Sequence, residues 1–112
     1  MARPLKRISI QGFKSIGELK DFPLESLNVL VGPNGAGKSN LVDFFRMLHA
    51  MSERALAEFV TKNGGADGFF FNGPKETPRI KAHLVFGPNE YRFVLESTVA
   101  NEMMVKEEET SY

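Results

Sequence analysis

Eight consecutive residues, Gly32-Pro33-Asn34-Gly35-Ala36-Gly37-Lys38-Ser39, constrain this chain more than any other feature. They fit the pattern G-x-x-x-x-G-K-[ST] at every fixed position. The pattern has a physical cause. Successive backbone N–H groups can curl around phosphate oxygens only where no Cβ blocks the approach, and Gly35 and Gly37 remove it. Pro33 lacks an N–H but stands early in the loop, where that donor can be spared. Lys38 falls at the start of the predicted helix, where its charge adds to the helix dipole and reaches the β- and γ-phosphates. Ser39 offers a hydroxyl to Mg²⁺, a hard cation that prefers oxygen and bridges the same phosphates. The expectation is a loop that binds ATP with Mg²⁺, with Lys38 as the catalytic group and Ser39 as the metal ligand.

The flanking sequence supplies the frame such a loop needs. Leu27-Asn28-Val29-Leu30-Val31 is a short apolar run ending at Gly32, which fits a strand buried on both faces of a mainly parallel sheet. Beyond the loop, Leu41, Phe44, Phe45 and Leu48 form one face of a helix predicted from about Gly37 to Ala50, with Asp43 and Arg46 pointing away. Ser52 is the expected N-cap of a second helical stretch carrying Ala55, Leu56 and Phe59, stopped by Asn63-Gly64-Gly65.

On the N-terminal side, Ile8, Ile10 and Phe13 suggest a first strand, followed by a polar stretch from Gly17 to Ser26. The loop from Gly64 to Pro78 contains Phe69-Phe70-Phe71, which read as core anchors. Alternation then predicts an antiparallel hairpin, roughly Ile80–Phe86 with Glu90–Ser97, and Met103-Met104-Val105 begin a third strand. The predicted fold class is α/β, a strand–phosphate loop–helix unit with an antiparallel hairpin beside it. The layout is strands, phosphate loop and helices over 1–62, a loop over 63–79 and antiparallel strands over 80–112.

Composition bounds the rest. A chain of 112 residues makes one small domain, and 42% hydrophobic residues with ten Phe are those of a globular protein. Fourteen basic and fourteen acidic residues cancel, so no overall field draws the chain to nucleic acid or anionic lipid. The absence of cysteine excludes disulfides, thiolate metal sites and cysteine nucleophiles, and two lone histidines make no metal cluster. Nothing approaches an apolar run long enough to span a bilayer, and no signal peptide is visible, so no membrane partner and a cytoplasmic location are expected.

Taken together, Ile8-Ser9-Ile10-Gln11-Gly12-Phe13-Lys14-Ser15-Ile16, Leu27 to Val31 and GPNGAGKSNLVD resemble the N-terminus of RecF, SMC and SbcC-type ATPases. These are ABC-like P-loop ATPases, often called AAA-family ATPases. The resemblance is close from Leu5 to about Ala50. It implies a P-loop NTPase N-terminal lobe whose whole head pairs around two nucleotides in DNA repair, chromosome handling or phage defence. It implies nucleotide-side roles for Lys14 and Ser15, which match an F-[KR]-S corner, although Lys14 also reads as a solvated turn lysine. For Asn34 and Asn40 it implies contacts around the phosphates, where either could equally cap local backbone.

The hydrolytic parts of that family are missing from the pattern. None of Asp21, Asp43 and Asp67 ends an apolar run, the only glutamine is Gln11, and no LSGG-like signature occurs. Phe93-Val94-Leu95-Glu96 imitates a Walker B strand but has one acid and follows a hairpin turn. The expectation is therefore an incomplete ATPase head that needs a C-terminal half or a second head subunit, with DNA as a partner by family analogy alone. Two other readings use the same loop: a nucleotide-binding module that signals by association without hydrolysis, and a small phosphotransferase. Against the last, Arg54, Arg79 and Arg92 form no cluster.

Overall fold

The computed structural model of the chain describes residues 5–23 and 36–111, and the side chains from residue 40 onward in the second stretch. The predicted strand Leu27–Val31 and loop residues Gly32 to Gly35 lie outside the described residues.

Among the described residues, five strands form one sheet in the order β2-β1-β3-β4-β5. They are β1 (Arg7–Phe13), β2 (Ile16–Pro23), β3 (Ile80–Val85), β4 (Glu90–Ser97) and β5 (Met103–Ser111). Every pairing among them is antiparallel, so the parallel character expected around Leu27–Val31 finds no counterpart among the described residues. Two helices, α1 (Ala36–Ser52) and α2 (Leu56–Lys62), and a short 3₁₀ turn (Asp67–Phe69) are the other elements among the described residues.

The period of two in β1, β3 and β4 decides which face is covered. Ile8 pairs with Leu84, Ile10 with Ala82, Phe93 with Ala82 and Leu95 with Ile80, so these apolar side chains share one face. Leu41, Phe44 and Met47 of α1 and Val60 of α2 close over that face, and all are buried. Phe45 and Leu48 pack at its margin and are only partly buried. A fully buried Phe or Leu contributes roughly 1.5–3 kcal/mol relative to exposure, enough to hold α1 in place without any unusual helix propensity. The opposite face carries Lys81, His83, Arg92 and Glu96 and stays polar, as an antiparallel sheet allows.

Three expectations need correction. The stretch read as polar from Gly17 is the edge strand β2. Its register slips between Ile8 and Ile10: Ile8 faces Phe22 and Ile10 faces Leu19, leaving an extra residue opposite Ser9. Ser9 Oγ accepts the Asp21 N–H at 2.7 Å and Arg7 Nε donates to Asp21 Oδ1 at 2.8 Å, while Asp21 takes φ +49°. The bulge spaces Ile16, Leu19 and Phe22 by threes and hides the strand period.

Second, Ser52 does not cap α2. Its hydroxyl donates to the His49 carbonyl at 2.7 Å, and Ala55 stands at the N-cap without a side-chain bond. Third, Asp43 does not point away from the protein; it turns back to Lys14. The hairpin of β3 and β4, the third strand β5 and the burial of Phe69 and Phe70 agree with expectation, with β3 ending at Val85. The α2 stop also agrees in part: Gly64 and Gly65 take φ +93° and +99°, while Asn63 keeps a negative φ.

Candidate functional site

The backbone of α1 is helical from Ala36, so the last four residues of the glycine-rich pattern form its first turn. A helix start leaves its first N–H groups without intrahelical partners and carries a partial positive charge. No acidic residue occupies that turn to neutralise it. A helix start of this kind suits an anion. Positions of the Lys38 and Ser39 side chains, like all of Gly32, Pro33, Asn34 and Gly35, fall outside the described residues.

The β1–β2 corner lies against this helix start. Phe13 pairs with Ile16, leaving Lys14 and Ser15 as a two-residue loop, and Lys14 adopts φ +50°. Left-handed backbone at a non-glycine residue costs roughly 1–2 kcal/mol, so the surroundings must hold it. Five contacts do so. The Lys14 N–H donates to the Phe69 carbonyl at 2.8 Å, and the Phe71 N–H donates to the Gly12 carbonyl at 2.9 Å. Lys14 Nζ donates to Asp43 Oδ2 at 2.8 Å and stands 4.9 Å from the centre of the Phe69 ring. Asn40 Nδ2 donates to Ser15 Oγ.

Thus Lys14, Ser15 and Asn40, three of the residues singled out from sequence, come together at the first two turns of α1. Asn40 bonds a side chain there rather than capping backbone. Asn40 and Asp43 are three apart, so both project from one side of α1 onto adjacent residues of the corner. Asp43 is the functional candidate that sequence reasoning missed. An acid three residues after Asn40, with Lys14 as a basic residue awaiting a partner, was the available signal. Beneath the corner, Phe13 meets Phe44 edge-on with ring centres 5.3 Å apart and Phe69 at 5.9 Å, fixing helix, corner and loop to one another.

An open cup of about 680 Å³ lies beside the corner, walled by Lys14, Ser15, Asp67, Phe71 and Asn72. Asp67 is held from below, its carboxylate by the Ser97 hydroxyl and its N–H by Asn101 Oδ1. Elsewhere, Glu96 takes an ion pair from Arg79 at 2.8 Å. The hydrogen bond to Glu96, reinforced by its charge, raises the Arg79 guanidinium further above its ordinary range. Glu96 is thereby engaged on the polar sheet face. No group of three or more His, Asp or Glu suited to a metal ion occurs among the described residues. Asp43 is engaged by Lys14, with Arg46 at 3.7 Å. Of the residue types at the helix start, the Ser39 hydroxyl is the hard oxygen donor that suits Mg²⁺.

A glycine-rich loop feeding a helix that packs on a sheet defines a P-loop nucleotide-binding class. Comparison with known proteins agrees. Residues 27–112 match the family described as "AAA domain, putative AbiEii toxin, Type IV TA system". The chain belongs to this AAA-domain family, within the SMC- and RecF-like P-loop ATPases whose N-terminal part it resembles. Similar curated proteins include the chromosome partition protein Smc of Myxococcus xanthus, 39% identical over 68% of this chain and 6% of its own length. That of Delftia acidovorans is 35% identical over 79% of this chain and 8% of its own length. The Smc of Desulfitobacterium hafniense reaches 54% identity over 38% of this chain and 4% of its own length. The chain thus spans less than a tenth of the length of these relatives. No solved structure matches the chain.

Proposed function

We propose that this chain binds ATP with Mg²⁺ through Gly32 to Ser39, as the N-terminal part of an ATP-hydrolysing SMC- or RecF-like ATPase. The observation that carries the reading is the complete loop pattern running into the first turn of a helix fixed on a sheet. Lys38 holds the β- and γ-phosphates, backbone N–H groups from Gly35 onward surround their oxygens, and Ser39 would hold Mg²⁺. Bound there, the metal would neutralise phosphate charge. Lys14 and Ser15 line the nucleotide from the corner, and Asn34 and Asn40 border the phosphates. A C-terminal half or second head subunit supplies the groups for hydrolysis. The similarity to chromosome partition proteins, and a family description that names a toxin of a type IV TA system, support DNA repair, DNA maintenance or phage defence in the cytoplasm as the setting.

The metal role gives a direct test. ATP should bind saturably, and more tightly with Mg²⁺ than with a chelator. Ser39→Ala should weaken binding in Mg²⁺ and differ little from wild type once the metal is removed. An equal defect under both conditions would contradict the metal assignment, and no ATP binding by wild type would contradict the whole reading.

A further inference from the structure

Lys14 is an unusual residue in this fold. It is a lysine at φ +50° whose side chain is only 25% exposed, pressed between the Phe69 ring and α1. Flexible, strongly hydrated ammonium groups do not settle in such places without a fixed anion. Asp43 is that anion, at 2.8 Å and itself 28% exposed. It stands one helical turn beyond Ser39 on the same helix whose start carries Lys38. Asn40, one residue past Ser39, ties down the neighbouring Ser15. Two polar links from one side of α1 therefore fix the two residues of the corner relative to the helix start.

We propose that Asp43 is a positioning residue for nucleotide binding: it holds the Lys14 ammonium at the wall of the cup, at a set distance from the phosphates on α1. This rests on the ATP-binding reading above. An ammonium has three donors. Asp43 takes one, and the others remain for a phosphate or ribose oxygen. Without Asp43, the side chain has four rotatable bonds and no fixed direction, so ordering it would be charged to ligand binding. The alternative, that Asp43 competes with the nucleotide for Lys14, predicts the opposite sign.

The test is a double-mutant cycle read on ATP affinity in the purified chain, using Lys14→Ala, Asp43→Asn and the double variant. Asp43→Asn should weaken ATP binding roughly three- to tenfold, the range a partly exposed charge pair can direct. Asp43→Glu should recover part of the loss. The double variant should bind no worse than Lys14→Ala, because Asp43 acts through Lys14. Arg46→Ala, which removes the other cation near Asp43 from a 69% exposed position, should leave affinity unchanged. Melting temperatures without nucleotide separate a general loss of stability from a loss confined to binding. Wild-type affinity in Asp43→Asn, tighter binding in it, or losses that simply add in the double variant would each overturn the proposal while ATP binding stands. Absence of ATP binding in the wild type would overturn both together.

Discussion

At Gly12 the backbone turns to φ +82°, and a Cβ there would lie 2.6 Å from Thr77 Cγ2 and 2.7 Å from the Arg79 carbonyl oxygen. Both the conformation and the space demand glycine. Gly12 also accepts the hydrogen bond from Phe71 that braces the Lys14 corner. Gly12→Ala should therefore destabilise the chain by about 2–4 kcal/mol, combining left-handed strain with overpacking against backbone that cannot retreat. Chemical denaturation of the two proteins checks this, and a loss below about 0.5 kcal/mol, ordinary for a neutral surface change, would contradict the account of the corner.

Among the elements, β4 and β5 offer a prediction in pH. Tyr91 is half-buried on β4, and its hydroxyl donates to Glu108 of β5. Burial first, and then the bond to the Glu108 carboxylate, raise the Tyr91 pKa well above its ordinary value near 10. The raised group is an acid kept neutral in the fold. Its stabilising contribution is present below the unfolded pKa and is lost as pH climbs past it, because the unfolded tyrosine ionises first. Stability should fall above about pH 10 more steeply in wild type than in Tyr91→Phe. Parallel declines in the two proteins would remove Tyr91 from the account.

Legibility in the sequence also differs by element. Helix α1 was readable because Leu41, Phe44 and Leu48 keep helical spacing, and β3 and β4 because Ile80, Ala82, Leu84 and Tyr91, Phe93, Leu95 alternate cleanly. Strand β2 was not, since a bulge at an edge breaks the alternation that marks a strand. The composition of the corner was legible in Lys14 and Ser15, but its dependence on Asp43 and Asn40 was not. Those contacts span 29 and 25 residues, and local pattern carries no information on which surface polar groups meet.

On the scale of the whole molecule, the helices cover one sheet face and place the corner, the start of α1 and the Asp67–Asn72 loop side by side. What this unit holds and what it catalyses are separable. Transfer of a phosphoryl group to water needs a carboxylate to orient the water and a further group to neutralise developing charge. Glu96 follows an apolar run yet is engaged by Arg79 on the polar face. The purified chain should therefore release phosphate no faster than background, and Glu96→Gln should change nothing. Steady turnover that disappears in that variant would identify Glu96 as a catalytic carboxylate.

The central claim is that the loop entering α1 holds a triphosphate, and calorimetric titration of wild type and Lys38→Ala with ATP and Mg²⁺ tests it most directly. The loop amides persist in the variant while the lysine charge does not. A charge-assisted contact is worth roughly 1.5–3 kcal/mol, so affinity should fall ten- to hundredfold or more with the melting curve unchanged. Equal affinity in the two proteins would contradict the claim.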